Sequence, residues 1–265
     1  MNRDFIAGHW YADIYEQFEN ETRDVAFLLN VLRSCANGSA QRILEAACGG
    51  GRISIPLAKA GHTVTGFDMD LHMLLRCYRQ MKGMSNIRCY LADALTAQWG
   101  SEFDVVVLAG NVLINIETDM DYAEAQRIFI RKAAMALRSG GHLYLDFDLL
   151  YDPVRFFSRL RQSSYFSGTD DMGTSGRTIS YGSVYDPVTH MCAGTSHLEL
   201  TANNGESFVI SKLWHKHIPA QNQVYGWLRE AGLTIERSYK NYSDEPLHEP
   251  IDESTHRATI WARKD

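Results

Sequence analysis

Ten residues near the start of the chain, Ile43-Leu44-Glu45-Ala46-Ala47-Cys48-Gly49-Gly50-Gly51-Arg52, restrict its architecture more than any other stretch. An apolar run closes on an acid, passes through three glycines and continues as Ile53-Ser54-Ile55-Pro56-Leu57-Ala58. This reads as a buried strand, a tight turn and a helix that starts at once. Glycine suits such a turn because it accepts positive φ and lets a ligand approach the backbone. The first turn of the helix offers unpaired N–H groups and a positive dipole end, which favour an anionic group. The competing reading is a plain surface turn with incidental glycines.

Downstream, strand and helix alternate. Thr63-Val64-Thr65-Gly66-Phe67-Asp68 is a β-branched strand ending in an acid, and a helix follows from about Asp70 with Met73, Leu74 and Cys77 on one face. Residues 87–94 read as a third strand and residues 103–108 as a fourth, the latter apolar enough to be buried on both faces. A helix is expected from Asp121 to Leu137, and a fifth strand from His142 to Asp148 after Gly140-Gly141. Such alternation argues for an α/β fold with a doubly wound, mostly parallel sheet. Ligands in these sheets sit beyond the carboxyl ends of the strands, where Glu45, Asp68, Asp93 and Asp148 all fall.

The pattern changes on either side of this core. Val25, Leu28, Leu29 and Leu32 mark an apolar helical face, preceded by the aromatic and acidic segment Tyr11 to Glu16. After Asp148, a short helix is expected within 151–161 and a polar loop over 163–176. Alternating stretches at 178–184, 191–201 and 207–217 then suggest an antiparallel meander. A helix over 223–231 and strands over 233–239 and 257–263 close the chain. The expected organisation is an N-terminal helical cap (1–40), a core (41–150 and 220–265) and a β-rich insert on the substrate side (151–219).

At 265 residues, 45% hydrophobic and 22% charged, the chain can bury a sizeable core. Its net charge of −6 and lack of any basic block argue against a nucleic-acid partner. Residues 1–10 lack the apolar run of a signal peptide, and no stretch approaches the ~20 apolar residues of a membrane span. The five cysteines are scattered, with no C-x-x-C pair, so neither a disulfide framework nor a metal site is expected. The expectation is a cytoplasmic protein, a monomer or homodimer with no membrane partner.

The blocks Leu44 to Arg52, Val64 to Asp68, Ala92-Asp93-Ala94 and Gly140-Gly141 resemble, in order and spacing, the class I S-adenosylmethionine-dependent methyltransferases. Trp227 to Ile235 and an antiparallel last strand fit the same family. Within it the chain is most similar to small-molecule enzymes of the glycine N-methyltransferase-like and amino-sugar N-methyltransferase-like kinds. The resemblance implies a Rossmann-like sheet, S-adenosylmethionine as cofactor, S-adenosylhomocysteine as product, and a small-molecule methyl acceptor. It also implies site roles. Ala47, in the slot of the usual first glycine, and Gly49 approach the methionine part. Tyr15 and Arg23 lie over its carboxylate and sulfonium, with Tyr11 in the same cofactor-binding segment. Asp68 accepts the ribose hydroxyls and Met69 packs on the adenine. Asp93 takes the adenine amino group, the Ala94 N–H a ring nitrogen, and the Ala109 carbonyl the cofactor amino group.

Methyl transfer from a sulfonium to N or O is an in-line displacement that proximity and orientation largely supply. The candidates for the catalytic side are Tyr15, Asn111, Asp148 and His217. Asn111 follows strand four without the Pro-Pro-aromatic motif of base-directed methyltransferases, and is read as a substrate-cavity group or a plain loop residue. Asp148 stands near the position where glycine-type enzymes carry an arginine, which points to an amine or polyol acceptor; the alternative is a solvated strand-end acid. His215 and His217 share a strand face and can change charge near neutral pH, or are merely exposed. Tyr181, Tyr185, Trp214 and Tyr242 are candidates for pocket walls or cover. Two other functions compete. A nicotinamide-dependent oxidoreductase is disfavoured because Arg52 occupies the slot of the last glycine of its motif. A non-catalytic S-adenosylmethionine-binding regulator shares the fold.

Overall fold

The computed structural model describes residues 2–35, 38–159 and 162–265, with the side chains of 158–165 outside the description. The chain divides into two units, Met1–Glu21 with Asp152–Ile218, and Thr22–Tyr151 with Pro219–Asp265.

The larger unit holds a seven-stranded sheet. In chain order it contains α2 (Arg23–Cys35), β1 (Arg42–Ala46), α3 (Ser54–Lys59), β2 (Thr63–Asp68), α4 (Leu71–Gln80), β3 (Ile87–Leu91), β4 (Phe103–Leu108), α5 (Tyr122–Ala136) and β5 (Leu137–Asp148). After the insert come α7 (Gln221–Glu230), β10 (Leu233–Lys240) and β11 (Arg257–Lys264). The strands are ordered β10-β11-β5-β4-β1-β2-β3; β1 to β5 pair in parallel, and β11 is antiparallel to both neighbours. This is the expected mostly parallel, doubly wound sheet with an antiparallel last strand. The chain leaves β1 toward β2 on one side and returns to β4 on the other, so a crevice opens between the carboxyl ends of β1 and β4.

Burial explains why these strands form. Ile43, Leu44, Val106, Val107, Leu108, Leu143 and Leu145 are fully covered, as continuous apolar strands between two helix layers require. Asp70 caps α4 by accepting from the N–H groups of His72 and Met73, which sets the helix start at the expected place. One boundary differs. β5 begins at Leu137 rather than His142, because Leu137 pairs with Phe103 before a register shift carries the chain through Gly140-Gly141. A Cβ on Gly141 would lie 3.0 Å from the Phe103 carbonyl oxygen, so only glycine fits this close approach.

The smaller unit holds α1 (Arg3–Phe18), α6 (Pro153–Arg159) and a four-stranded antiparallel sheet, β6 (Gln162–Thr169), β7 (Ser175–Tyr185), β8 (Met191–Thr201) and β9 (Ser207–His217), in that order. The loop expected over 163–176 is thus mostly strand: serines and glycines carry little strand signal, but Ser167, Gly168 and Thr169 pair with Arg177, Gly176 and Ser175. The segment Tyr11 to Glu16 lies inside α1. Ile6, Trp10 and Ile14 on α1 form a core with Leu200, Ala202 and Phe208. No helix among the described residues is long and apolar enough to cross a membrane.

Candidate functional site

The turn after β1 adopts the geometry its composition suggests. Ala47 sits at φ 58° and Gly49 at φ 52°, both left-handed. Alanine in a glycine slot carries a strain of about 1–2 kcal/mol, tolerated where the surroundings over-determine the turn. Two bonds do so here. The Cys48 N–H donates to the Phe67 carbonyl at 3.0 Å, and the Gly49 N–H donates to Asp68 Oδ2 at 2.8 Å. Asp68, at the end of β2, also accepts from the Asp70 N–H at 2.8 Å. One carboxylate therefore ties the turn to the start of α4 and keeps lone pairs on each oxygen for a ligand. Burial raises its pKa, and the N–H groups of Asp70 and Gly49 oppose that rise.

Glu45, the next-to-last residue of β1, is buried and accepts from the Ser54 hydroxyl at the start of α3. Burial pushes its pKa to about 8, against the lowering effects of Ser54 and Arg52. Arg52 is itself paired, donating to Asp24 of α2 at 2.7 Å. Arg23 precedes Asp24 as the exposed first residue of α2. Arg52 is thus a basic group next to the turn in sequence, fixed by an acid from α2.

A groove, partly open to solvent, runs from this turn along the carboxyl ends of the strands. Ala47, Asp68, Met69, Asp93, Ala94 and Asn115 are among its walls, with Phe67, Val112, Ile116 and Phe129 supplying apolar surface. Asp93 caps its own turn, accepting from the Leu95 N–H at 2.8 Å and the Thr96 hydroxyl at 3.2 Å. Trp99 Nε1 donates to the Ala94 carbonyl at 2.8 Å, and the Trp99 ring meets Phe67 and Phe129 edge-on. A larger hollow lies on the four-stranded sheet, lined by Ser167, Arg177, Glu199 and Val209.

Beyond β4 the chain turns through Ala109, Gly110 (φ 69°) and Asn111 (φ 63°). The fully buried Asp146 of β5 receives the N–H groups of Gly110 at 3.1 Å and Asn111 at 2.8 Å, and the Tyr242 hydroxyl at 3.0 Å. Arg257, from β11, donates to Tyr242 and Asp148. Burial opposes the Arg257 charge, but Asp146, Tyr242 and Asp148 outweigh it and raise the pKa. Asn111 closes the network: its side-chain amide donates to Asp148 at 2.8 Å and its carbonyl oxygen accepts from the Asp148 N–H at 3.0 Å. Asp148 is thus a partly exposed strand-end acid that is also an ion-paired member of a connected polar network. Tyr242 and the preceding Asn241 both hold positive φ, at 54° and 52°. The sequence reading missed Asp146 and Arg257 as partners, and it placed Tyr242 only among pocket walls.

Tyr11, Tyr15 and His217 belong to the smaller unit. Tyr11 and Tyr15 stack at 6.4 Å between centroids, each edge-on to Phe166. His215 is exposed, whereas His217 is buried and stacks on His190 at 6.2 Å. Their shared face thus gives two different environments, because the 190 turn covers only the strand end. Tyr181 packs edge-on to His197, Tyr185 stacks on Phe157, and Trp214 covers Gly194.

Residues 43–141 match the family model of the methyltransferase domain. This stretch spans the turn, Asp68, Asp93 and the loop after β4. The chain carries a methyltransferase domain. It is 23% identical over 240 residues to a putative methyltransferase from Geobacillus sp. (strain WCH70), covering 89% of this chain and 91% of that one. Its fold is similar to that of an S-adenosylmethionine-dependent methyltransferase from Clostridium acetobutylicum, with a TM-score of 0.70 at 14% identity, covering 96% and 97% of the two chains. It is also similar to an S-adenosylmethionine-bound amino pentose methyltransferase from Micromonospora echinaspora, with a TM-score of 0.63 at 16% identity, covering 91% and 90%. The methyltransferase's groove fits the cofactor chemically: a carboxylate at a strand end suits a ribose diol, apolar walls suit a purine, and the left-handed turn leaves its backbone open to an amino-acid moiety. Among the described residues no group of three or more His, Cys, Asp or Glu is placed to hold a metal ion.

Proposed function

We propose that the methyltransferase acts on a nitrogen or oxygen of a small molecule, with the donor in the groove and the acceptor presented at the ends of β4 and β5. The observation that carries this reading is the placement of Asp68, Met69, Asp93 and Ala94 along one groove that starts at the Ala47–Gly49 turn. Asp68 takes the ribose, Met69 covers the base, Asp93 and Ala94 read its edge, and the Ala109 carbonyl faces the amino group. Ala47 and Gly49 hold the methionine portion, with Arg23 assigned to its carboxylate. When bound, S-adenosylmethionine supplies an electrophilic methyl group. The chain's own contribution is to hold two reactants in register and exclude water, which accounts for most of the acceleration such a reaction needs.

Asn111 and Asp148 supply the acceptor side. Their mutual hydrogen bonds and the Arg257 pairing fix both side chains before an acceptor arrives. Asp148 keeps about a third of its side chain accessible, so its carboxylate can hold an amine or hydroxyl donor while Arg257 limits the net negative charge. Amines on polyol scaffolds head the acceptor panel, in keeping with the amino pentose methyltransferase among the structural relatives. Tyr15 is assigned from the resemblance to the carboxylate and sulfonium of the donor, and His217 from the strand pattern as a general base or acceptor clamp.

Transfer of label from S-adenosyl-[methyl-³H]methionine across amines, amino sugars, amino acids and phenols tests the proposal. Turnover with at least one amine or hydroxyl compound, reduced by Asp148→Asn through KM, supports it. Binding of the donor without transfer to any class in the panel favours the non-catalytic reading instead.

A further inference from the structure

Lys132 lies on α5, one turn beyond the groove-lining Phe129. A protonated lysine has three N–H donors and no acceptor. Here its Nζ meets three backbone carbonyl oxygens, those of Ala94 at 3.0 Å, Leu95 at 2.5 Å and Ala97 at 2.8 Å. All three belong to the short turn that follows β3 and carries Asp93 and Ala94 into the groove.

Convergent carbonyls repel one another, and a chain that points three of them at one spot needs a cation there. The rest of the turn shows why the spot matters. Asp93 spends both carboxylate oxygens on Leu95 and Thr96, its carbonyl accepts from the Ala97 N–H at 2.8 Å, and Trp99 holds the Ala94 carbonyl from the other side. Apart from the Ala92 N–H, which donates to the Asp68 carbonyl at 2.9 Å, the other bonds of the turn come from within seven residues of Asp93. Lys132 alone, among the bonds described, ties the turn to the helix that forms the facing wall. Charge-assisted bonds of this kind are about twice as strong as neutral ones.

We propose that Lys132 is a positioning residue for the base end of the donor groove: its ammonium clamps the Ala94, Leu95 and Ala97 carbonyls, and so sets where Asp93 and the Ala94 N–H meet the purine edge. The proposal rests on the groove assignment above. It predicts that the clamp governs recognition of the purine edge and leaves the transfer step untouched.

The test compares wild type, Lys132→Met and Lys132→Arg by calorimetry with two ligands, S-adenosylhomocysteine and its hypoxanthine analogue, in which an oxo group replaces the adenine amino group. Lys132→Met should weaken S-adenosylhomocysteine binding by about tenfold. It should also shrink the wild-type preference for adenine over hypoxanthine toward unity, because the reading groups are no longer held. Lys132→Arg, which can still donate to several carbonyls, should restore affinity to within about threefold. At saturating donor, kcat should stay within about twofold while the donor KM rises. If Lys132→Met does not unfold cooperatively, Lys132→Gln replaces it in the same comparison. Unchanged affinity and preference in the methionine variant overturn the proposal and leave the groove assignment standing. Weaker binding with the full adenine preference retained also overturns it, since that marks a general packing role. Failure of the wild type to bind S-adenosylhomocysteine at all overturns the groove assignment and the proposal together.

Discussion

Replacing Tyr242 by phenylalanine removes one oxygen from the centre of the strand-end network and leaves the ring. Asp146 then loses one of three hydrogen bonds while keeping those from Gly110 and Asn111, and Arg257 loses its phenolic acceptor while keeping Asp148. The two losses are unequal. Asp146 is fully buried and cannot recruit water, whereas Arg257 keeps about a quarter of its side chain accessible and can. Packing against Phe27 at 6.2 Å and the cation–π contact with Arg257 at 5.2 Å survive. A hydrogen bond to a buried charge contributes about 1.5–3 kcal/mol, so the variant should lose roughly 2–3 kcal/mol and melt about 5–10 °C lower. Asp146 also holds the Gly110 and Asn111 amides that lead into the groove-lining Val112 and Asn115, so S-adenosylhomocysteine affinity should fall about three- to tenfold. Thermal melts by circular dichroism and calorimetric titration read the two effects. A melting point within about 1 °C of wild type would refute the placement of the hydroxyl between Asp146 and Arg257.

Glu45→Gln isolates the buried acid of β1. Folding raises its pKa from 4.5 to about 8, so between those values the folded chain holds a proton that the unfolded chain has released, and stability from this group is lost as pH rises through the window. The interval at ~1.4 kcal/mol per pH unit caps the effect near ~5 kcal/mol, and structural relaxation should leave on the order of 2 kcal/mol. Urea unfolding at pH 5.5 and 8.5 should show a smaller loss with rising pH in Glu45→Gln than in wild type; equal losses would contradict a buried, protonated Glu45. Gly51→Ala places a Cβ 2.8 Å from both Cys77 Sγ and Ile55 Cδ1 at a φ of 86°, and should cost about 2–4 kcal/mol. Gly61→Ala, at φ 95° with open space around it, should cost only about 1 kcal/mol, and similar melting points for the two variants would rule out steric crowding under the turn.

Most of the larger unit was legible in sequence because its strands are buried on both faces. Such strands must be continuous and apolar, and their ends must be punctuated by glycine and acids, so β1, β2 and β4 announced themselves. The helix start near Asp70 and the turn after β1 were legible for the same local reasons. The smaller unit was read less well. β6 is Ser- and Gly-rich, and its strand character lies in backbone pairing with β7, which side-chain pattern does not record. The inner face of α1 mixes Trp10 and Ile14 with buried His9 and Asp13, whose partners lie far along the chain at Asp171, so its apolar stripe is interrupted. The network at Asp146 joins residues about a hundred positions apart, and positive φ at Asn241 and Tyr242 leaves no mark in a sequence that has no glycine there. Lys132 was illegible for a simpler reason, since a lysine on an amphipathic helix reads as a solvated face until the carbonyls opposite it are seen.

The central claim is that the turn after β1 and Asp68 hold S-adenosylmethionine, the turn its methionine portion and Asp68 its ribose. Calorimetric titration of wild type and Asp68→Ala with S-adenosylhomocysteine, and of wild type with NAD, tests it most directly. Wild type should bind S-adenosylhomocysteine and not NAD, and Asp68→Ala should lose about 1–3 kcal/mol of that binding, a roughly five- to hundredfold weaker Kd. Tight NAD binding, or wild-type affinity in Asp68→Ala, would contradict it.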